Sequence, residues 1–188
     1  MSYVVNTLSQ YMVEPRRAHW VVAKHVLRYL KGTIDYGLNY ERRDGIELTG
    51  HIDYDWAGSV VDRKSTSGCC FTLGSTVVLW FSKKQKSVAL SSVEVEYMAV
   101  SLASCEAIWL CKMLVSLFDS QLDAIVINYD NQSCMKLTEN PVFHNWSKHI
   151  EIRYHFIHDH VQKGVVKLQY LPTDEQVADI LTKSLGKS

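Results

Sequence analysis

Proline is scarce in this chain, with three among 188 residues, and glycine is modest at nine. No stretch reads as low-complexity or disordered. An excess of charge is also missing, because 20 Lys and Arg face 20 Asp and Glu. A strongly basic domain would hint at nucleic acid; a neutral one neither supports nor excludes it. A polyanionic partner would therefore have to be held by local basic patches or through metal ions. The five cysteines (Cys69, Cys70, Cys105, Cys111 and Cys134) form no CxxC pair and no zinc spacing. Their odd count, without a signal peptide, predicts free thiols in a reducing compartment. No apolar run approaches the ~18 residues of a membrane span, so the expectation is a soluble, intracellular chain with no membrane partner. GxSxG and phosphate-binding glycine loops are absent, which leaves serine-nucleophile hydrolase and nucleotide-triphosphatase readings without support. What is present is ordinary: 47% hydrophobic and 21% charged residues allow a core, and 188 residues fit one domain, or one domain plus a short piece of a neighbour.

Periodicity organises the rest. Residues 1–33 read as helix, with Trp20, Ala23, Val26, Leu27 and Leu30 at helical spacing, Pro15 ahead of that run and Gly32 as the stop. Residues 36–40 and 46–55 look extended around a polar turn at 41–45. Residues 68–73 and 77–81 form a hairpin across Gly74-Ser75-Thr76. Ser91-x-x-Glu94 is a capping box, and the helix it opens runs to about Phe118 with Val100, Ala103, Ala107, Leu110, Leu114 and Leu117 on one stripe. A buried strand at 124–129 ends at Asp130. Short helices fit 131–138 and 147–163, a strand fits 165–170, and Thr173-x-x-Gln176 caps a last helix over 174–184. Three antiparallel strands followed by helix-separated strands predict a mixed sheet flanked by helices.

In open α/β sheets, sites gather at the carboxyl ends of strands. Asp53 and Asp55 end one strand and Asp130 ends another. Glu96 falls on the buried stripe of the long helix, where a carboxylate is costly unless it is paired or bound to a cation. Asp53, Glu96 and Asp130 thus suit a hard divalent ion such as Mg²⁺, which takes oxygen ligands and completes its shell with phosphates. The bland alternative is that Glu96 snorkels out at the helix end. Asp179 is weakest by pattern, because Val177, Ile180, Leu181 and Leu185 define the buried side of the last helix and Asp179 lies off its centre.

Several ordered strings resemble the ribonuclease H region of copia-type retrotransposon polyproteins. They are Asp53-Tyr-Asp-Trp-Ala-Gly58, Asp62-Arg-Lys-Ser-Thr-Ser-Gly68, Ser82-Lys-Lys-Gln-Lys86 and Ala89-Leu-Ser-Ser-Val-Glu-Val-Glu-Tyr-Met-Ala99, then Tyr129-Asp-Asn-Gln-Ser133, Lys148-His-Ile-Glu-Ile-Arg-Tyr-His-Phe156 and Asp174-Glu-Gln-Val-Ala-Asp-Ile-Leu-Thr-Lys183. The resemblance implies a ribonuclease H-like α/β fold with a mixed five-stranded sheet. It implies a metal-dependent endonuclease that cuts the RNA strand of an RNA–DNA hybrid during reverse transcription. It implies four catalytic, metal-binding acids, Asp53, Glu96, Asp130 and Asp179, holding two Mg²⁺ or Mn²⁺ ions. Asp179 enters on the resemblance and not on periodicity. Ser91, Ser92 and Gln132 match positions that meet the substrate. Residues 1–44 resemble the end of the reverse transcriptase connection, which leaves 45–188 as the ribonuclease H domain and makes the reverse transcriptase of the same polyprotein a partner. The resemblance places the chain in a cytoplasmic virus-like particle or the nucleus, not in secretion.

The sequence departs from that pattern at Ser59, Val93, Val95 and Ser184, and residues 171–178 carry no histidine. Bulk at Val95 is expected to tilt the helix start and shift Glu96. Three other features bear on function. His149, His155, His158 and His160 lack a cysteine pair or a fixed fourth ligand, so packing and exposure are the expected roles, with His149 or His155 as secondary catalytic candidates. Lys83, Lys84, Lys86, Arg63 and Lys64 could line a phosphate groove, against the bland reading of a solvated loop. Trp56, Trp80, Trp109 and Trp146 read as core. Two rival functions remain: a catalytically inactive remnant that binds nucleic acid or protein, and a DNA nuclease or transposase-like enzyme of related architecture.

Overall fold

The computed structural model describes residues 1–41, 47–59, 61–119, 123–131 and 148–183. Its centre is a five-stranded sheet: β1 (Leu48–Asp55), β2 (Thr66–Leu73), β3 (Thr76–Lys84), β4 (Ile125–Tyr129) and β5 (Val166–Tyr170), in the order β3-β2-β1-β4-β5. β1 to β3 pair antiparallel, whereas β4 runs parallel to both β1 and β5. The mixed sheet expected from the element order is therefore present. Its helices are α1 (Ser2–Ser9), α2 (Arg17–Gly32), α3 (Ser92–Phe118) and α4 (Lys148–Gln162).

Alternation along the strands decides which face is covered by what. Leu48 and Ile52 of β1, Cys69 and Phe71 of β2, and Ile125, Ile127 and Tyr129 of β4 enter one core with α3 and α4. The α3 stripe of Val100, Ala103, Ala107, Leu110 and Leu114 is buried there, while Leu117 is exposed. Ser91 caps α3 by accepting a bond from the Glu94 N–H at 3.3 Å, and the Glu94 carboxylate accepts from the Leu90 N–H at 2.8 Å. Asp119 ends the helix at φ 49°, a left-handed conformation that Asp tolerates better than most residues. By length and composition α3 would pass for a membrane span, contrary to the expectation that none exists; here it is a core helix packed on the sheet.

The opposite face, that of His51, Asp53, Gly68 and Cys70, receives α1 and the C-terminal segment. These enclose an apolar cleft of about 490 Å³ lined by Leu38, Trp80, Val177 and Ile180 among others. The C-terminal segment corrects the reading of a capped helix over 174–184. It is two 3₁₀ turns, Thr173–Glu175 and Val177–Leu181. The Gln176 side chain explains the break, since its Nε2 donates to the Ile52 carbonyl at 2.9 Å and its Oε1 accepts from the Ala178 N–H. The Gln176 backbone is extended there (φ −75°, ψ 98°), so no α-helix runs through it. Ala178, Leu181 and Thr182 are buried while Val177 and Ile180 are about half exposed, so α-helical spacing misassigned this face.

The structure departs from expectation at three further places. Residues 1–33 form two helices, with a break just before and through Pro15, whose ring disfavours helix in the residue before it. Residues 36–40 form no strand, although the Asn39 carbonyl accepts from the Thr76 hydroxyl and Tyr40 reaches the Val77 carbonyl. Trp56, Trp80 and Trp109 are each more than half exposed rather than core. The turn at 42–45, the helix at 132–138, Cys134, Trp146, Ser184 and Leu185 lie outside the described residues.

A candidate carboxylate site at the sheet edge

Parallel pairing of β1 and β4 sets Ile52 beside Tyr129. The next residue on each strand is an aspartate, so Asp53 and Asp130 leave the same edge side by side. Asp53 is 5% exposed and faces the C-terminal segment, where the Thr182 hydroxyl donates to its Oδ2. Asp130 accepts from the Thr173 hydroxyl at 3.2 Å. One segment, pinned to β1 by Gln176, thus touches both aspartates and carries the third, Asp179. Gly68 makes this approach feasible. A Cβ there would stand 2.8 Å from both Leu181 Cβ and Thr182 Cγ2 and 3.1 Å from the Ala178 carbonyl oxygen.

The fourth acid arrives from the other face. Glu96, in the second turn of α3, is 1% exposed, and its Oε1 accepts from the Tyr54 hydroxyl at 2.7 Å and from Asn131 Nδ2. Tyr54 and Asn131 each follow an edge aspartate in sequence, so they join Glu96 to Asp53 and Asp130. Burial, the bond to Glu96 and its charge push the Tyr54 hydroxyl well above the usual phenol range. Tyr54 therefore stays protonated and donates.

Burial also pushes the Asp53 carboxyl up to about 6, with Asp179 and Asp130 adding to the rise and the Thr182 bond opposing it. Lys183 answers this negative charge. Its Nζ stands 2.5 Å from Asp179 Oδ1, and its pKa is raised by that bond first, then by the charges of Asp179, Asp53 and Asp130. The three aspartates are thereby within electrostatic reach of each other and of one ammonium.

Among the described residues, no three His, Cys, Asp or Glu side chains converge closely enough to form a metal cage as they stand. Their chemistry fits a hard divalent cation all the same: every donor is a carboxylate oxygen, two of the acids are almost wholly buried, and the Asp53 carboxyl is raised by burial first and by neighbouring negative charge second. His155 is exposed, and the His149 side chain lies outside the described residues, as does Gln132. Ser91 and Ser92 are half-buried at the start of α3, before Glu96. Val95 is fully buried at the head of a helix that is continuous from Ser92. Sequence reading missed Tyr54, Thr173, Thr182 and Lys183. Lys183 stands four residues after Asp179, a spacing that signals such a pair, whereas nothing in local spacing joins Tyr54 to Glu96 or Thr182 to Asp53.

No protein-family model matches the chain. It is 43% identical over 187 residues to the retrovirus-related Pol polyprotein from transposon RE2 of Arabidopsis thaliana, a match covering all of this chain and 13% of that protein. A 110-residue stretch, 58% of the chain, is 50% identical to secreted RxLR effector protein 161 of Plasmopara viticola and covers 78% of it. Among solved structures, LC11-RNase H1 in complex with RNA/DNA hybrid superposes with a TM-score of 0.52 at 13% identity, over 72% of this chain and 94% of that one. That likeness shows a ribonuclease H fold.

Proposed function

This chain belongs to the copia-type retrovirus-related Pol polyproteins, and from that premise we propose that it hydrolyses the RNA strand of RNA–DNA hybrids as their ribonuclease H segment. It spans about an eighth of the polyprotein it resembles, so the polymerase partner and the reverse-transcription setting belong to the same proposal. The observation that supports it is that Asp53, Asp130 and Asp179 lie within electrostatic reach of one another, with buried Glu96 linked to the residues beside them through Tyr54 and Asn131. Such a set is electrostatically unfavourable unless positive charge is brought to it.

The four carboxylates would hold two Mg²⁺ or Mn²⁺ ions. When bound, these ions supply positive charge to the phosphodiester and its attacking and leaving oxygens. The chain's own groups set up that chemistry. Tyr54 fixes the Glu96 carboxylate by donating to Oε1. Thr182 and Thr173 orient Asp53 and Asp130. Ser91 uses only its oxygen lone pair in capping α3, so its O–H can donate to a backbone phosphate of the hybrid. A contact to the 2′-hydroxyl would select RNA over DNA.

Labelled RNA–DNA hybrid incubated with Mg²⁺ should be cut in the RNA strand, and EDTA should stop the reaction. Cleavage that persists after thorough chelation rules out the metal-dependent reading. Equal cutting of duplex DNA points instead to a DNA nuclease. Absence of cutting with undiminished hybrid binding identifies a remnant that binds without hydrolysis.

A further inference from the structure

Lys183 is not an ordinary surface ion-pair partner. The turn that carries Asp179 ends at Leu181, so the lysine lies beyond it. Asp179 Oδ1 is closed off from solvent, and the ammonium is the cation against it at 2.5 Å. The same ammonium feels Asp53 and Asp130, and Asp55 feels it in turn. A compact, movable positive charge thus stands where the carboxylates need one. Half of its side chain is exposed, so it can swing out to water without unfolding anything.

We propose that Lys183 is a displaceable internal counter-ion of the carboxylate site, which pairs with Asp179 without metal and must be expelled before divalent ions enter. The proposal rests on the metal-dependent reading above and adds a competition to it. Two cations cannot share this space: an ammonium that stabilises the metal-free site must weaken metal binding by the same interaction, because linkage is reciprocal. Lys183 then sets the metal concentration at which the site fills.

The test is calorimetric titration of the intact chain with Mn²⁺, together with thermal melting in EDTA, for the wild type, Lys183→Met and Lys183→Arg. Methionine keeps the apolar stem and loses the charge; arginine keeps the charge. Lys183→Met should bind Mn²⁺ at least threefold more tightly, melt earlier in EDTA and gain more from added metal. Lys183→Arg should stay near the wild type in all three. Equal Mn²⁺ affinity in the wild type and Lys183→Met overturns the counter-ion role and leaves the metal-dependent reading standing. Weaker binding by Lys183→Met also overturns it, by showing that the lysine assists the ion. If no variant binds Mn²⁺ at millimolar concentration, both proposals fall together.

Discussion

Asp53 is nearly sealed from water, and burial is the main reason its carboxyl lies up at about 6. A folded pKa above the unfolded value contributes stability that is fully present below about pH 4 and lost as pH rises through about 6. At about 1.4 kcal/mol per unit, the loss is on the order of 3 kcal/mol at most. The metal-free chain should therefore lose stability from this group between pH 4 and 7, and Asp53→Asn should lose less. Melts in EDTA across that range check this. If Asp53→Asn melts several degrees lower at every pH, the aspartate has a structural role instead. Two neighbours offer the opposite case. Tyr54→Phe takes a donor from buried Glu96 and should cost about 1–3 kcal/mol in denaturant unfolding, because the missing bond is to a charged group. Val95 is sealed in the core, so Val95→Ala should cost about 1–3 kcal/mol by leaving a cavity. If cleavage by Val95→Ala nevertheless rises at low Mg²⁺, the bulk at this position does displace Glu96.

The C-terminal 3₁₀ segment does most to assemble the edge. It brings Asp179, Thr173 and Thr182 to the strand ends and is held by Gln176 on β1. Its seat on β2 depends on Gly68 having no side chain, since a Cβ there would meet side-chain and backbone atoms. Gly68→Ala should push the segment off the sheet, costing about 1–3 kcal/mol through overpacking. Cleavage should fall with it, through weaker metal binding, while circular dichroism shows the sheet and α3 intact. A variant with full stability and full Mn²⁺ affinity would show that the segment seats elsewhere.

At the scale of the molecule, a net charge of zero provides no general attraction for a polyanion. Positive charge is instead gathered locally. Lys83, Lys84, Lys86 and Arg153 line one cavity of about 250 Å³ beside the end of β3, with Lys84 also engaged by Asp62 and Gln10. Lys83→Ala combined with Lys86→Ala should weaken hybrid binding alike for all sequences. It should also reduce the slope of log affinity against log salt by about 1 for each phosphate that is no longer neutralised. Mn²⁺ affinity should not change. An unchanged salt slope would place the nucleic acid on another face.

The sheet, the long helix and the positions of Asp53 and Asp130 at strand ends were legible from the sequence, because they rest on local patterns. The turn at Gly74-Ser75-Thr76 marked the β2–β3 hairpin, the capping box marked the head of α3, and the apolar stripe carried Glu96 into the interior. Asp179 was legible only through resemblance, since helical spacing assumed an α-helix where Gln176 is tied to the Ile52 carbonyl. Apart from Lys183, four residues after Asp179, the partners of the acids were not legible. Tyr54 meets Glu96 across 42 residues and Thr182 meets Asp53 across 129. Pairings of that separation follow from strand order and from the close approach that Gly68 permits, and neither leaves a trace in local sequence. Sequence determined which residues carry charge and which faces are apolar; only the tertiary structure decided which charges face one another.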